Sequence, residues 1–443
     1  MIIRRKKERI MLFIGDIIFF ITALWLTLFL RYFEIPTITV FYSHIIPFSF
    51  LFIVWIIVFF IAGLYDKHTV ILKRRLPSII LNAQIVNIVI AAMFFFFIPY
   101  FGITPKTNLF IYLFISFVII VFWRIYLFPL IESGKRQNAL LMASGNEMIE
   151  LKEEVNNNAR YNFYFKFALD LDTADKEALE EYLRKCAKEN NISMVVADTG
   201  NEKISSVMPF LYNSIFIQSR FKFLDFQKMY ENIFDRVPLS FVKYNWFLSN
   251  VQWLPKITHD LVKRFVDVVF SIVFGILSLP VYPLVFLAVK LGDKGPLFII
   301  QERVGRDNRP IYIFKFRSMS IYEREKITKI GGILRRTRID ELPQLWNVLK
   351  GDLSLIGPRP EMPRFAELYE KYIPYYNIRH FVQPGLSGWA QIHHSKPPKF
   401  GVGYDETKEK LSYDIYYIKN RSLLLDFYIC LKTIKTLFLR SGL

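Results

Sequence analysis

Residues 268–289 read VVFSIVFGILSLPVYPLVFLAV, an apolar segment long enough to cross a membrane. A spanning helix usually carries its positive charges on one side only, but here two basic residues precede the segment and two follow it. Pro280 and Pro283 stand in the middle, where each removes a backbone hydrogen-bond donor and bends a helix. We therefore predict a re-entrant helix over about residues 262–291 that enters the cytoplasmic leaflet, turns at the prolines and leaves again. A kinked spanning helix is the alternative, since membrane helices tolerate proline. The four flanking cations are Lys263, Arg264, Lys290 and Lys294.

Four further apolar stretches fill the first third of the chain. Each comes close to the ~20 residues that cross a bilayer, and the first is too long for a cleaved signal peptide. The N-terminal leader and the loop at 66–78 are rich in Lys and Arg, whereas the loops at 32–40 and 102–107 hold almost no positive charge. Positively charged loops stay in the cytoplasm, so we expect the chain beyond about residue 132 to be cytosolic. Asp16 lies inside the first stretch and is interpreted as an interhelical hydrogen-bonding residue. The four stretches are residues 11–31, 41–64, 79–101 and 108–131.

The composition also indicates a membrane protein with anionic partners. Of the 443 residues, 53% are hydrophobic, and the 44 Phe exceed the usual share in soluble domains. The formal net charge of +18 suits an anionic membrane surface or phosphorylated substrates, although cytoplasmic loops of membrane proteins are basic as well. A nucleic-acid partner is disfavoured, because the basic residues flank apolar segments and form no recognisable binding motif. Cys186 and Cys430 have neither disulfide-framework nor zinc-site spacing.

Strand and helix patterns alternate over residues 133–250. NALLMASGN predicts a buried strand, a helix and a second strand follow, and ISMVVADTG predicts a further strand. This alternation indicates a parallel α/β sheet. The first turn offers one glycine, Gly145, whereas a dinucleotide-binding fingerprint needs three. We interpret the segment as a Rossmann-like module that binds no dinucleotide and has a regulatory or assembly role.

Residues 337–346 read TRIDELPQLW and contain two adjacent acids, Asp340 and Glu341, directly after three arginines. Apolar residues then recur at helical spacing, and Gly351 supplies a stop. We expect Asp340 to be the N-cap of this helix. The helix dipole and the arginines would then keep both acids ionised and attract phosphate.

Nearby residues are candidates for phosphate and base contacts. In GPRP, two prolines restrict the backbone around Arg359 and so direct its guanidinium, which suits bidentate phosphate binding. In IFKFRSM, Lys315 and Arg317 alternate with aromatic residues as on a strand and share one face. The glycine-rich QPGLSGWAQ carries Trp389, which could stack on a base. For each cation, a surface salt bridge is the alternative interpretation.

Six motifs follow one another between residues 261 and 443: KRFVDVV, QERVG, KFRSM, LRRTRIDELPQLWNVLKGDLSLIGPRP, QPGLSGWAQ and YDIYYIKNRSLLLDFYICLKT. In these motifs the segment resembles the bacterial sugar transferases, the polyprenyl-phosphate phosphoglycosyl transferases of the monotopic class. The four preceding spans and the Rossmann-like module are similar to the long form of this family. The chain departs from the family's pattern at Leu279, where Ser is frequent, and at Gln383, where Lys or Arg is common.

The resemblance implies an activity and a set of roles. It implies transfer of a sugar-1-phosphate from a UDP-sugar to undecaprenyl phosphate with release of UMP. This would be the first membrane step toward a capsule, an exopolysaccharide, an O-antigen or another glycoconjugate. Asp340 would be the nucleophile that carries a covalent phosphosugar, and Glu341 would help to hold Mg²⁺. The candidate substrate-binding residues are Arg303, Lys315, Arg317, Arg359, Trp389 and Gln391.

The predicted fold class is a membrane protein in three parts. Residues 1–132 form an α-helical transmembrane bundle, and residues 133–250 form the cytosolic Rossmann-like α/β domain. Residues 251–443 form a mainly α (α+β) catalytic domain with the re-entrant helix. We expect it at the bacterial inner membrane, with the catalytic domain on the cytoplasmic face. Inner-membrane lipid, a second copy of the chain and downstream glycosyltransferases are its expected partners.

Two other functions remain open from the sequence. A membrane-anchored NAD-dependent nucleotide-sugar dehydratase is one, because Tyr322 and Lys326 satisfy a Tyr-x-x-x-Lys pattern, although no GxGxxG precedes them. A non-catalytic scaffold of polysaccharide assembly is the other, and the intact DE, PRP and KFRSM residues disfavour it. The sequence identifies neither the sugar, nor the polymer, nor the oligomeric state.

Overall fold

The computed structural model divides the 443-residue chain into two compact units, Met1–Arg136 and Gln137–Leu443. The prediction that residues 133–250 and 251–443 are separate domains stays a prediction. The basic loop at 66–75, Cys186, Lys294 and Tyr322 lie outside the described residues. The structure describes residues 2–65, 76–98, 106–128, 130, 136–158, 161–175, 179–181, 183, 185, 192–217, 221–251, 257–292, 295–320, 326–393 and 403–438.

The first unit consists of long apolar helices, which confirms the prediction of four such helices. Within the described part of this unit, four stretches are long and apolar enough to cross a membrane, and aromatic side chains such as Phe20, Trp55 and Tyr112 fill the core between them. The four helices are α1 (Ile2–Tyr32), α2 (Ile38–Ile61), α3 (Leu76–Phe97) and α4 (Lys106–Phe122), which continues as a π-helical turn (Trp123–Leu127).

A buried ion pair joins the first and last of these helices. Arg124 donates to both carboxylate oxygens of Asp16, and the Tyr65 hydroxyl donates to the same carboxylate at 2.6 Å. Arg124 also donates to the carbonyl of Leu64 at 2.7 Å. The interpretation of Asp16 as an interhelical hydrogen-bonding residue is therefore confirmed.

The second unit begins with a four-stranded parallel sheet, as the alternating pattern predicts. The strand order is β2-β1-β3-β4, so β1 lies between its two crossover partners. Gly145 opens the first helix with a φ of +79°, a conformation that favours glycine. The elements are β1 (Gln137–Ala143), α5 (Gly145–Asn157), β2 (Phe163–Asp170), β3 (Met194–Ala197), α6 (Glu202–Tyr212), β4 (Lys222–Asp225), α7 (Phe226–Phe234) and α8 (Tyr244–Asn250).

The apolar segment with the two prolines forms a broken helix pair, α9 (Ile257–Ser278) and α10 (Val281–Gly292), bent by 56°. The bend lies at Leu279 and Pro280, while Pro283 sits in the first turn of α10, where a missing N–H costs little. Near its start, α9 is held by Arg264, which donates to two carbonyls of another helix end. In α10, Val285 and Val289 are buried against Phe316 and Leu334.

The remainder of the unit combines short helices with two small sheets. β5 and β6 form an antiparallel hairpin in which Arg303 pairs with Ile311 and Lys315 with Ile299. β7 and β8 pair in parallel. The elements are β5 (Phe298–Val304), β6 (Pro310–Phe316), α11 (Lys329–Arg336), α12 (Gln344–Lys350), β7 (Ser354–Ile356), α13 (Pro363–Tyr372), β8 (Gly385–Ser387), α14 (Trp389–His393), α15 (Tyr404–Asn420) and α16 (Leu423–Phe438).

Candidate active site

The two adjacent acids lie in a 3₁₀ turn, Ile339–Glu341, between α11 and α12. Arg338 enters this turn in the left-handed conformation with a φ of 57°. The expectation that Asp340 is an N-cap is wrong, because α12 begins only at Gln344. Pro343 has no N–H to donate, so the helical hydrogen-bond ladder is interrupted between the acids and α12.

Three cations surround Glu341. Its Oε1 accepts a hydrogen bond from Arg359 Nη2 at 2.6 Å and lies 3.5 Å from Lys315 Nζ. Its Oε2 lies 3.5 Å from Arg338 Nη1. Burial alone would raise the pKa of Glu341, but these three cations lower it to about 2. Glu341 is therefore ionised at any physiological pH.

Asp340 differs from its neighbour. The residue is only 7% exposed, and its Oδ1 has no hydrogen-bond partner among the described residues. Burial, together with the adjacent charge of Glu341, raises the pKa of Asp340 above its ordinary value, against the weaker pull of Lys315, Arg335 and Arg338. The cations contact Glu341, whereas Asp340 Oδ1 has no described partner, and the prediction that both acids are ionised stays a prediction.

The hairpin of β5 and β6 supplies two of the predicted phosphate-binding cations. Burial and the neighbouring Arg359 lower the pKa of Lys315 to about 8. Arg303 donates to Gln301 and lies 3.9 Å from Glu361, but its Nε has no partner among the described residues. A buried donor and a buried acceptor, Arg303 Nε and Asp340 Oδ1, are thus left unsatisfied in one cluster. Such groups are costly unless a ligand or water completes them.

Two other predicted binding residues, Arg317 and Gln391, hydrogen-bond to the main chain. Arg317 Nε donates to the carbonyl of Pro296 at 2.8 Å, and the side chain packs against Gly295. Gln391 donates to Leu386 within its own turn. The hydrogen bonds described for these two side chains both go to backbone carbonyls.

Trp389 is part of the core. It is 5% exposed, stacks on Tyr416, contacts His393 and donates from its indole N–H to the carbonyl of Asp235 at 2.7 Å. This burial contradicts the expectation that the indole stacks on a base.

Sequence reasoning missed a buried ionic group behind Arg359. It also missed Gln344, a buried residue in the first turn of α12 whose Nε2 has no partner among the described residues. The members of the ionic group come from separate segments and share no motif spacing, so nothing in the sequence connects them. They are Glu361, Arg379, Lys410 and Asp414.

The fit of Mg²⁺ depends on the two carboxylates. Among the described residues there is no group of three or more His, Cys, Asp or Glu that could hold a metal ion. Mg²⁺ is often bound by one or two carboxylates together with substrate phosphates and water. Glu341 offers one carboxylate beside Asp340, so the residues present fit binding of Mg²⁺ through one protein carboxylate.

A cavity of about 850 Å³ lies at the first turn of the parallel sheet, beside Asn146 and Glu147. Ligands of open α/β sheets bind at this end of the strands. However, four acids line the cavity against two cations, so a pyrophosphate would meet net negative charge. The charged lining residues are Glu147, Glu150, Arg236, Asp405, Lys408 and Glu409. This electrostatic balance disfavours both a dinucleotide and the NAD-dependent dehydratase.

Comparison with known proteins identifies the family. The sequence model described as bacterial sugar transferase matches residues 258–440. The UDP-N-acetylgalactosamine-undecaprenyl-phosphate N-acetylgalactosaminephosphotransferase of Aeromonas hydrophila is 40% identical over 200 residues, which cover 43% of this chain and 46% of that protein. The UDP-glucose:undecaprenyl-phosphate glucose-1-phosphate transferase of Escherichia coli (strain K12) is 39% identical over 189 residues, or 39% of each chain.

The aligned part spans less than half of these two relatives. A UDP-glucose:undecaprenyl-phosphate glucose-1-phosphate transferase of Caulobacter vibrioides is 38% identical over 199 residues, which cover 42% of this chain and 72% of that shorter protein. The match therefore covers most of that relative, and the family model covers the part of the chain that holds the acid pair and its cations. The chain belongs to the bacterial sugar transferase family.

Proposed function

We propose that this protein transfers a sugar-1-phosphate from a UDP-sugar to undecaprenyl phosphate and releases UMP. The observation that carries the proposal is the unpartnered, buried Oδ1 of Asp340 beside a carboxylate that three cations neutralise. A nucleophile needs a lone pair that is not already engaged, and a diphosphate needs nearby cations. The names of these two relatives describe transfer between the same two substrate classes.

In the first step Asp340 is the nucleophile. One of its carboxylate oxygens forms a bond to the phosphorus that carries the sugar. The bond from that phosphorus to the oxygen bridging toward the nucleoside phosphate breaks, and UMP leaves with that oxygen. Burial favours the reaction, because a carboxylate with a raised pKa is a stronger nucleophile than one stabilised by hydrogen bonds.

The cations orient the diphosphate and stabilise its charge. Arg303 offers its free Nε–H, and Lys315 and Arg359 bind Glu341 while keeping donors for the substrate. Glu341 would help to hold Mg²⁺, which when bound neutralises developing negative charge on phosphate oxygens, while Asp340 stays unengaged for attack.

In the second step the lipid substrate takes over the phosphosugar. An oxygen of undecaprenyl phosphate forms a bond to the same phosphorus, the bond to the Asp340 oxygen breaks, and the carboxylate is regenerated. The product is a polyprenyl-diphosphate sugar. Two successive displacements allow one carboxylate to serve a soluble donor and then a membrane-bound acceptor.

The broken helix pair supports placing this chemistry at the inner leaflet. Near its start, α9 is fixed by Arg264, and α10 packs through Val285 and Val289 on Phe316 of the same compact unit. If the pair crossed the membrane, its two ends would lie on opposite sides and could not contact one soluble domain. We therefore infer that α9 and α10 are re-entrant and that the catalytic part is cytoplasmic.

The test is UMP release by the purified full chain with undecaprenyl phosphate and a panel of donors: UDP-glucose, UDP-galactose, UDP-N-acetylglucosamine and UDP-N-acetylgalactosamine. Asp340→Asn should lower release by about 10³-fold or more, since it removes the nucleophile. Glu341→Gln should chiefly raise the Mg²⁺ concentration needed for activity. Asp307→Asn, the same change at an exposed turn, is the matched control and should keep wild-type release. Wild-type release by Asp340→Asn would contradict the mechanism.

A further inference from the structure

The GPRP loop, residues 357–360, is fixed by its neighbours through its backbone. A Cβ on Gly357 would come within 2.4 Å of the carbonyl oxygen of Gln383, so the two segments touch with no room for a side chain. This close approach gives the glycine-rich QPGLSG segment a structural role as the support of the loop. The backbone hydrogen bonds around the loop are Gly357 N–H to Ser387 O at 2.8 Å, Gly385 N–H to Pro358 O at 2.9 Å and Val304 N–H to Glu361 O at 2.9 Å.

The carbonyl of Arg359 is held by a side chain. Arg379 is 2% exposed and donates from Nη2 to Arg359 O at 2.9 Å. The same nitrogen forms an ion pair with Asp414 Oδ2 at 3.0 Å, and Nη1 donates to the Tyr376 hydroxyl at 2.5 Å. Arg379 therefore links the carboxylate of Asp414, which is 1% exposed, to the main chain of Arg359. The guanidinium of Arg359 in turn contacts Glu341.

The charges around Arg379 are balanced in the interior. Arg379 Nη1 lies 3.7 Å from Glu361, which in turn accepts a hydrogen bond from Lys410 at 2.9 Å. Burying ions costs free energy that their mutual attraction often only offsets, so such a group is a poor source of stability. Its geometric effect is clear: it fixes the position and direction of the Arg359 backbone. With Pro358 and Pro360 restricting that backbone on both sides, the guanidinium has few alternatives to Glu341.

We propose that Arg379, anchored by Asp414, is a positioning residue that acts through Arg359. By holding the Arg359 carbonyl, it keeps the Arg359 guanidinium on Glu341, so that Glu341 stays neutralised while Asp340 remains the unengaged carboxylate. The proposal rests on the proposed function for its kinetic consequence, but the contact it describes can be tested without turnover.

The first test compares Arg379→Lys with a matched control, Arg236→Lys. Arg236 is also a mostly buried arginine between two carboxylates, Glu150 and Glu409, and has no described contact with residues 357–361. A lysine at 379 keeps the charge but cannot donate from a planar fork toward Arg359 O, Asp414 and Tyr376 together. We expect kcat for UMP release to fall about 10- to 100-fold, as for other residues that orient a functional group. The control should keep wild-type kcat. Wild-type kcat for Arg379→Lys would overturn the proposal.

The second test is a double-mutant cycle in the same assay. If Arg379 acts through Arg359, then in an Arg359→Met background the change Arg379→Lys should lower kcat by no more than about 2-fold. If Arg379 only stabilised the fold, Arg379→Lys should lower kcat by the full 10- to 100-fold in the Arg359→Met background as well, because the stability of the fold would not depend on Arg359. Additive losses would therefore overturn the proposal.

The third test is a structure of the Arg379→Lys variant. We expect Arg359 Nη2 to have left hydrogen-bond distance of Glu341 Oε1, whereas the Arg236→Lys structure retains the contact. A variant that keeps this contact at about the wild-type 2.6 Å would overturn the proposal. The structure of the variant also distinguishes failure of the proposed function from failure of the positioning role of Arg379. If the wild-type protein released no UMP with any donor, the proposed function would fail, and the structure would still decide the role of Arg379.

Discussion

Asp340 and Glu341 are neighbours in sequence with different environments. Arg359, Lys315 and Arg338 contact Glu341, while no described residue hydrogen-bonds to Asp340 Oδ1. Adjacent carboxylates repel each other, and in the structure the three contacting cations all lie against Glu341. We interpret Glu341 as the acid that the cations hold in place and Asp340 as the acid that remains reactive.

A buried histidine near the site should make stability depend on pH. His380 is buried, and burial together with the charge of Arg379 lowers its pKa to about 3, against the opposing effect of Glu361. In the unfolded chain a histidine takes up a proton near pH 6.5. In the folded state His380 stays neutral until the pH approaches 3, so the free energy of unfolding should fall as the pH drops from 6.5 toward 3.

His380→Gln should remove this part of the pH dependence. In wild type, His380 should make the free energy of unfolding about 1.4 kcal/mol lower at pH 5.5 than at pH 7.5. In the variant this difference should be absent. The measurement is denaturant unfolding of wild type and variant in detergent at pH 5.5 and pH 7.5. The variant's overall stability is not the readout, because lost packing lowers it at both pH values. Equal pH dependence in the two proteins would contradict the burial of a neutral His380.

Two adjacent glycines in α11 should respond in opposite directions to alanine. A Cβ on Gly331 would lie 1.9 Å from the carbonyl oxygen of Ser318, whereas a Cβ on Gly332 would meet nothing within 4 Å. Gly331→Ala should therefore cost about 1–3 kcal/mol through overpacking. Gly332→Ala should gain about 0.5–1 kcal/mol from the lower backbone entropy of the unfolded chain. Unfolding measurements on both variants test this, and a loss of the same size in both would contradict the docking of α11 on Ser318.

At the level of elements, the broken pair α9 and α10 is the feature that a sequence pattern describes best. Two prolines and charge at both ends predict an interruption, and the structure has a 56° bend at Leu279 and Pro280. The sequence could not show that Val285 and Val289 return to Phe316, because that contact depends on where β6 ends. This return contact supports a re-entrant segment over a kinked span.

Cysteine accessibility tests the path of this pair. In a background with Cys186→Ser and Cys430→Ser, Asp260→Cys and Lys290→Cys should both resist a membrane-impermeant maleimide applied outside intact spheroplasts. Both should react once the membrane is permeabilised. Glu34→Cys, in the loop after α1, is the control and should react from outside. Labelling of Lys290→Cys from outside would mean that the pair crosses the membrane.

At the level of the whole molecule, local patterns predicted what depends on local sequence. The four apolar helices follow from composition alone, and the parallel sheet follows from alternating strands and helices. The acid pair was found because two neighbouring carboxylates are unusual, and Arg359 because prolines flank it. Each of these signals lies within a few residues of the feature it predicts.

Features that depend on long-range contacts were not predictable in this way. Arg379 meets Asp414 and the Arg359 carbonyl across 35 and 20 positions of sequence, and no periodicity marks such a meeting. The sequence around Trp389 is ambiguous, because an aromatic residue after glycines fits a base-stacking surface as well as a core. Only the packing of α14 on α15 and the hydrogen bond to Asp235 distinguish the two.

We propose that Asp340 carries the phosphosugar between nucleotide and lipid, and a search for this covalent adduct tests that role most directly. Enzyme incubated with the accepted UDP-sugar and Mg²⁺, but without lipid acceptor, should be digested with trypsin and analysed by mass spectrometry. We expect peptide 339–350 to gain the mass of one sugar phosphate on Asp340, and the lipid acceptor to remove it. An adduct found reproducibly on another residue, or no adduct in enzyme that still makes lipid product, would contradict the account.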